Sequence, residues 1–197
     1  MNTAHEPAEP AADDYFVLGA EAHGGMLLTS IPRPHKRQSW TMGQRFSVAP
    51  ALPVVAGICA GYETALPSPY VDVPPIMSEQ LLQVLLNAGV DNIDAYDAVL
   101  RSEDGKVEVP GFKAFNLIGL VAAADLKASR FAPDNPSRHL DASFDSLVLD
   151  TALIGGARMF RLAEVSSAVV VHASVKAAIE AAGITRISFR KPSEFLS

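Results

Sequence analysis

Three aspartates at three-residue intervals, Asp91, Asp94 and Asp97, with Asn92 among them, form the densest chemical signal in this chain. Carboxylates spaced so closely can hold a divalent cation or divide into a general acid and a general base. On a helix they would share a face; on a strand Asp91 and Asp97 share one and Asp94 opposes them. No D-x-D-x-D-G loop forms, and no histidine stands near in sequence. The better reading has Asp91 and Asn92 capping the turn at Gly89 and facing solvent. Asp125, separated by three alanines from the apolar run Phe115–Val121, is a second candidate. It is either a cap at a strand corner or a catalytic carboxylate, and the capping role is favoured. Arg161 and Glu164 lie on opposite faces if their segment is a strand, and each calls for an ion-pair partner elsewhere.

Other chemistries lack their residues. Gly19 and Gly24-Gly25 follow a short β-prone run, but their spacing misses the dinucleotide fingerprint and Pro32 blocks the helix it requires. Gly105-Lys106 has neither the preceding glycine nor the following hydroxyl of a phosphate loop. His5, His23, His35, His139 and His172 are scattered, and Cys59 has no companion for zinc. No serine sits on a G-x-S-x-G elbow. Cys59 lies in the apolar run VVAGICAG, where a buried, inert thiol is expected. No cofactor is implied.

A lone cysteine fits a reducing compartment. Residues 1–14 lack the basic and apolar regions of a secretory signal, and the longest apolar runs fall short of a membrane span. These features predict a cytoplasmic protein. The net charge is −6, which disfavours nucleic acid or anionic membrane as the partner. The charge is uneven: residues 71–150 hold thirteen acids against six bases, and residues 15–70 hold two acids against four bases. An acidic patch of that kind would speed association with a basic partner; the plainer reading is acids in loops that keep the chain soluble.

The elements that must position these groups are short. Residues 1–12 read as a disordered leader, and residues 13–75 as a Pro-rich, irregular β-containing lobe with Trp40 and Phe46 as anchors. Residues 76–197 form the core, and the whole makes one compact unit. Ser78 caps a helix over about 78–88 that ends at Gly89. Ser174 caps another, over about 174–182, that ends at Gly183. Strands are expected at Ile93–Leu100 and Phe112–Val121 around an Asp104-Gly105 turn, and at Ser146–Leu149, Met159–Leu162 and Ala168–Val171. Strands in runs with two helices predict an α+β fold on a mixed or mainly antiparallel sheet.

One ordered series is more specific: G-V-D-N, then F-N-L-I-G-L-V-A-A-A-D-L-x-x-S, then F-D-S-L-V-L-D, then M-F-R-L-A-E. Carried by Gly89, Asp91, Asn92, Asn116, Asp125, Ser129, Phe160, Arg161 and Glu164, it resembles the eleventh group of bacterial polymorphic-toxin immunity proteins, formerly a domain of unknown function. The resemblance covers about Ser78 to Phe189. It implies a cytoplasmic non-enzyme that binds and neutralises a cognate toxin, often one delivered by type VI or contact-dependent secretion. Charge adds a basic nuclease as the expected toxin. The shared residues are then fold-makers, and the toxin interface is expected in exposed loops, at Glu103, Asp104, Asp134, Asp141 and Asp145, with Phe131 or Phe144 as an aromatic anchor. The competing reading is a carboxylate-dependent hydrolase or metal-binding enzyme using Asp91, Asp94 or Asp125 with His139. A small-ligand sensor is a third class.

Overall fold

Consecutive residues of β1 (Tyr15–Ala20), β10 (Met159–Leu162) and β11 (Val169–His172) point to opposite sides of one sheet, and both sides are apolar. Val17, Phe160 and Val170 enter one core; Leu18, Met159, Val169 and Val171 enter another. A sheet buried on both faces needs unbroken apolar runs, which is why VVV and MF occur here without alternation. The computed structural model describes residues 14–21, 24–132 and 142–196. The leader expected at residues 1–12 lies outside them.

Two five-stranded sheets carry the fold. The first has the order β12-β1-β11-β10-β7, with β7 at Leu120–Val121 and β12 at Ile187–Arg190. Its pairings are antiparallel except β10 with β7. The second has the order β2-β5-β6-β4-β3, formed by Val54–Gly57, Ile93–Arg101, Glu108–Leu117, Ile76–Ser78 and Tyr70–Val71. Only β2 with β5 is parallel there. A small antiparallel pair joins β8 (Arg130–Phe131) to β9 (Phe144–Ser146). The fold is α+β on mixed, mainly antiparallel sheets, as expected. Residues from the Pro-rich third supply β1 to the first sheet and β2 and β3 to the second.

The helices follow the local grammar. Ser78 Oγ accepts from Leu81 N at 3.2 Å and starts α1 (Glu79–Asn87). Gly89, at φ 81°, turns the chain beyond it in a conformation that costs any residue with a Cβ. Leu81, Leu82 and Leu85 face the core between the sheets, where Val175 and Ile179 of α3 (Ala173–Ala181) join them. The cap of α3 differs from expectation: His172 holds that position, and its Nδ1 accepts from Ser174 N at 3.2 Å. Strand β11 runs directly into the helix, so the residue leaving the strand does the capping. A further four-residue helix, α2 (Thr151–Ile154), starts at Asp150; it was not expected, because one turn carries too little periodicity to be seen.

The expected strand Phe112–Val121 is two strands in two sheets. Gly119, at φ 92°, bends the chain after β6, so Leu117 belongs to the second sheet and Leu120 to the first. The strand expected at Ser146–Leu149 is shifted to Phe144–Ser146, and Leu149 makes only an isolated bridge to Ala124.

Candidate partner-binding surface

The Asp91–Asp97 run is dispersed by its own strand. Asp91 lies before β5, is exposed, and makes no hydrogen bond or ion pair among the described residues. Asp94 pairs with Arg45 at 2.6 Å, across from the loop that packs on β5. Asp97 pairs with Lys113 on the neighbouring strand at 2.6 Å, and the same ammonium reaches Glu79 at 3.3 Å. The Asp97 contact, the largest cause, raises the Lys113 ammonium above its ordinary range. No group of three or more His, Cys, Asp or Glu residues is placed to hold a metal ion among the described residues.

The β5–β6 hairpin presents Glu103 and Asp104 at its tip. Asp104 is committed to the turn itself. Its Oδ1 accepts from Ser102 Oγ at 2.8 Å and from Lys106 N at 3.1 Å, and its Oδ2 faces Lys106 Nζ at 2.9 Å. The lysine, first of these contacts, lowers the carboxyl below its usual range. Glu103 is exposed beside it. Arg101 and Glu108 close the hairpin base at 2.9 Å. The acidic middle of the chain is therefore internally compensated at Asp94, Asp97, Asp104 and Glu108. Exposed charge outside those pairs includes Glu103, and Asp145 on β9 is also exposed.

Phe144 is 1% exposed and belongs to the core, with the Phe131 ring 5.0 Å away and half-buried. The Phe144 side chain is thus enclosed, and an aromatic contact at this face falls to Phe131. Asp134, Asp141 and His139 lie outside the described residues.

The motif residues act as stitches. Asn92 does not cap the Gly89 turn or face solvent as expected: half-buried, its Nδ2 donates to the carbonyls of Ile118 (3.0 Å) and Met159 (3.1 Å), tying the start of β5 to β10 of the other sheet. Asn116 is fully buried on β6, and its Nδ2 donates to Gln44 O at 2.7 Å, holding the 41–47 loop. That loop packs so closely on the Gly119 corner that a Cβ at Gly43 would lie 2.8 Å from a Gly119 backbone atom. Asp125 Oδ1 accepts from Lys127 N and Ala128 N, capping a turn as expected. These two backbone N–H groups lower its carboxyl. Ser129 Oγ bonds the Val148 carbonyl and amide. Phe160 packs edge-on to Tyr15, ring centroids 6.0 Å apart.

Arg161 and Glu164 correct the expectation of ion pairs. Neither makes one within 4 Å among the described residues. Arg161 is fully buried: its Nη1 donates to Ser166 O at 2.6 Å, and its Nε and Nη2 have no partner. It shares its surroundings with Tyr70 and Asp72, which sequence reasoning missed. The Tyr70 hydroxyl leans on the Asp72 carboxylate without reaching good hydrogen-bond geometry, and Asp72 Oδ1 is enclosed though an edge of the residue stays exposed. Burial raises the Asp72 carboxyl to about 6 against the pull of Tyr70, Arg161 and Arg190. Burial also raises Tyr70 well above its ordinary range, with Asp72 adding to it. The only sequence signal was a single acid in the apolar stretch Tyr70–Pro74. Glu164, beyond the end of β10, is raised by burial and partly held down by backbone N–H groups, its own and that of Ala124. Cys59 is partly exposed rather than buried.

No helix of the described residues is long and apolar enough to cross a membrane. No curated protein matches this chain. A family profile does match, over residues 33–194, and so reaches well into the Pro-rich third that the sequence resemblance left aside. With most of its length covered by that profile, the chain belongs to the Immunity protein family (Imm11).

Proposed function

We propose that this chain binds a cognate antibacterial toxin and neutralises it by covering the toxin's working surface, without chemistry of its own. The observation that supports this most is the family match over residues 33–194. The geometry agrees with it. The carboxylates that could have made an active site are spent on ion pairs at Asp94 and Asp97 and on a turn cap at Asp125. No three His, Cys, Asp or Glu residues are placed together to hold a metal ion among the described residues.

The toxin we infer is a basic nuclease, delivered by a type VI or contact-dependent route, and the action takes place in the cytoplasm. The support for a nuclease is charge alone: the chain is acidic, and nucleases are basic because they grip phosphate. The contact face on this reading is the hairpin tip at Glu103 and Asp104, the β8–β9 region at Phe131 and Asp145, and the loop bearing Asp134 and Asp141.

Co-expression with the product of the adjacent reading frame, followed by pull-down at about 50 and about 300 mM salt, tests this. A complex that rescues growth and weakens with salt supports both parts. A complex indifferent to salt, or an acidic toxin, removes the nuclease reading. Absence of complex and rescue removes the immunity reading.

A further inference from the structure

The loop 31–41 is held by its own polar groups in one shape. Trp40 Nε1 donates to Pro32 O at 2.9 Å, Gln38 N to His35 O at 3.0 Å, and Gln38 Nε2 to Ser47 Oγ at 2.9 Å. Phe46 and Tyr96 brace the indole edge-on, at 4.9 and 5.6 Å. Between this loop and Val73–Pro75 lies a cleft of about 390 Å³, lined by Ile31, Pro34, Trp40 and the two prolines, with Arg33 as its cation. Val73, on the opposite wall, is 65% exposed. A rigid apolar recess with an exposed valine at its lip is suited to receive a side chain.

The charge of the loop that forms this wall is the reverse of the chain as a whole. Arg33 lines the cleft, Lys36 and Arg37 follow it on the same loop, and all three are exposed and take part in no ion pair among the described residues. Some exposed charges elsewhere are matched, as at Asp94 with Arg45 and Asp97 with Lys113. A chain with net charge −6 does not need three unmatched cations here for solubility. Guanidinium groups bind carboxylates in a two-pronged geometry, and proximity to an apolar floor strengthens that pairing by thinning the water.

We propose that this cleft is a docking site for an acidic segment of the cognate toxin, which seats one apolar side chain against Trp40 and Pro34 and sets carboxylates on Arg33, Lys36 and Arg37. The proposal rests on the immunity reading above and adds a second, oppositely charged contact to the acidic hairpin face. Two contacts of opposite sign fix the orientation of the partner, because a toxin docked the wrong way round meets like charge at both. A free small anion would use the cations and leave the apolar floor idle, whereas a protein segment uses both.

The test is toxin binding by full-length variants, R33E/K36E/R37E and Val73→Glu, each compared with wild type by surface plasmon resonance against the purified toxin. Thermal melting serves as the folding control, since every substituted side chain is exposed. The expected result is at least about a 10-fold rise in Kd for the triple variant and a clear rise for Val73→Glu, with melting unchanged. Kd values within about twofold of wild type, with wild-type binding intact, overturn the cleft and leave the immunity reading standing. No binding by the wild type itself defeats the immunity reading. Sedimentation of the chain alone is the second measurement: a dimer that the triple variant dissociates would show the occupant to be another copy and overturn the toxin assignment.

Discussion

Asn92 donates its side-chain amide to the carbonyl of Met159 at 3.1 Å, and that bond joins the first residue before β5 to β10, strands of different sheets. The same nitrogen serves Ile118 at 3.0 Å, and Ile118 N returns a bond to Asn92 O at 2.8 Å. The turn after Gly89 and the corner at Gly119 are thereby locked to each other.

Replacing Asn92 by Ala should lower the unfolding free energy by about 2 kcal/mol, because two carbonyls lose their donor. Asn92→Asp should cost more, since it sets a carboxylate against the same two oxygens. Urea denaturation followed by circular dichroism reads both. A loss below about 0.5 kcal/mol for Asn92→Ala would mean the inter-sheet stitch carries little.

Asp72 makes stability depend on pH in a defined direction. Its folded carboxyl titrates at about 6, above its ordinary 3.8, so between these values the folded chain binds more protons than the unfolded one. Stability from this group is therefore greatest at the acid end and falls as pH rises through that window, by at most about 3 kcal/mol and less where solvent reaches the exposed edge. Denaturation midpoints compared between pH 4 and pH 7 should show this slope in wild type and lose it in Asp72→Asn. An unchanged slope in the variant would assign it to other groups.

Arg161 and Asp72 should be energetically coupled. Arg161→Met removes the donor to Ser166 O and a positive charge that holds the Asp72 carboxyl down, at a cost of about 1–3 kcal/mol. Adding Asp72→Asn should recover part of that loss, since the carboxyl charge then disappears. A double-mutant cycle measures the recovery, and strictly additive losses would show that the two groups do not sense each other.

The hairpin tip separates two roles of neighbouring acids. Glu103→Lys should slow toxin association by about 3- to 10-fold at low salt and leave dissociation nearly unchanged, the mark of a steering charge. Asp104→Ala should instead destabilise the turn that Ser102 and Lys106 build on it. Stopped-flow association and thermal melting distinguish the two, and a Glu103→Lys effect confined to dissociation would contradict steering.

Much of the local structure was legible without coordinates. Ser78 as a cap, Gly89 as a stop, the Asp104-Gly105 turn and the Met159–Leu162 strand depend on interactions between residues a few positions apart, and those are written in residue type and spacing. The α+β class followed from the order of such pieces. The turn-capping role of Asp125 was legible for the same reason, because its partners are Lys127 and Ala128.

What only the tertiary structure decided lies at long range. Asp94 and Arg45 are 49 positions apart, and Asn92 and Met159 are 67 apart, so no local pattern could pair them. The apolar run over Phe112–Val121 carries no mark of passing from one sheet to the other; the bend at Gly119 becomes visible only with both sheets in place. The burial of Phe144 and the company Arg161 keeps with Asp72 depend on which faces the sheets cover. Sequence by itself determined the pieces and the family, because turns, caps and motif order are local. Tertiary structure alone decided which charges are spent and which remain to meet a partner, because desolvation and pairing belong to surfaces that distant segments build together.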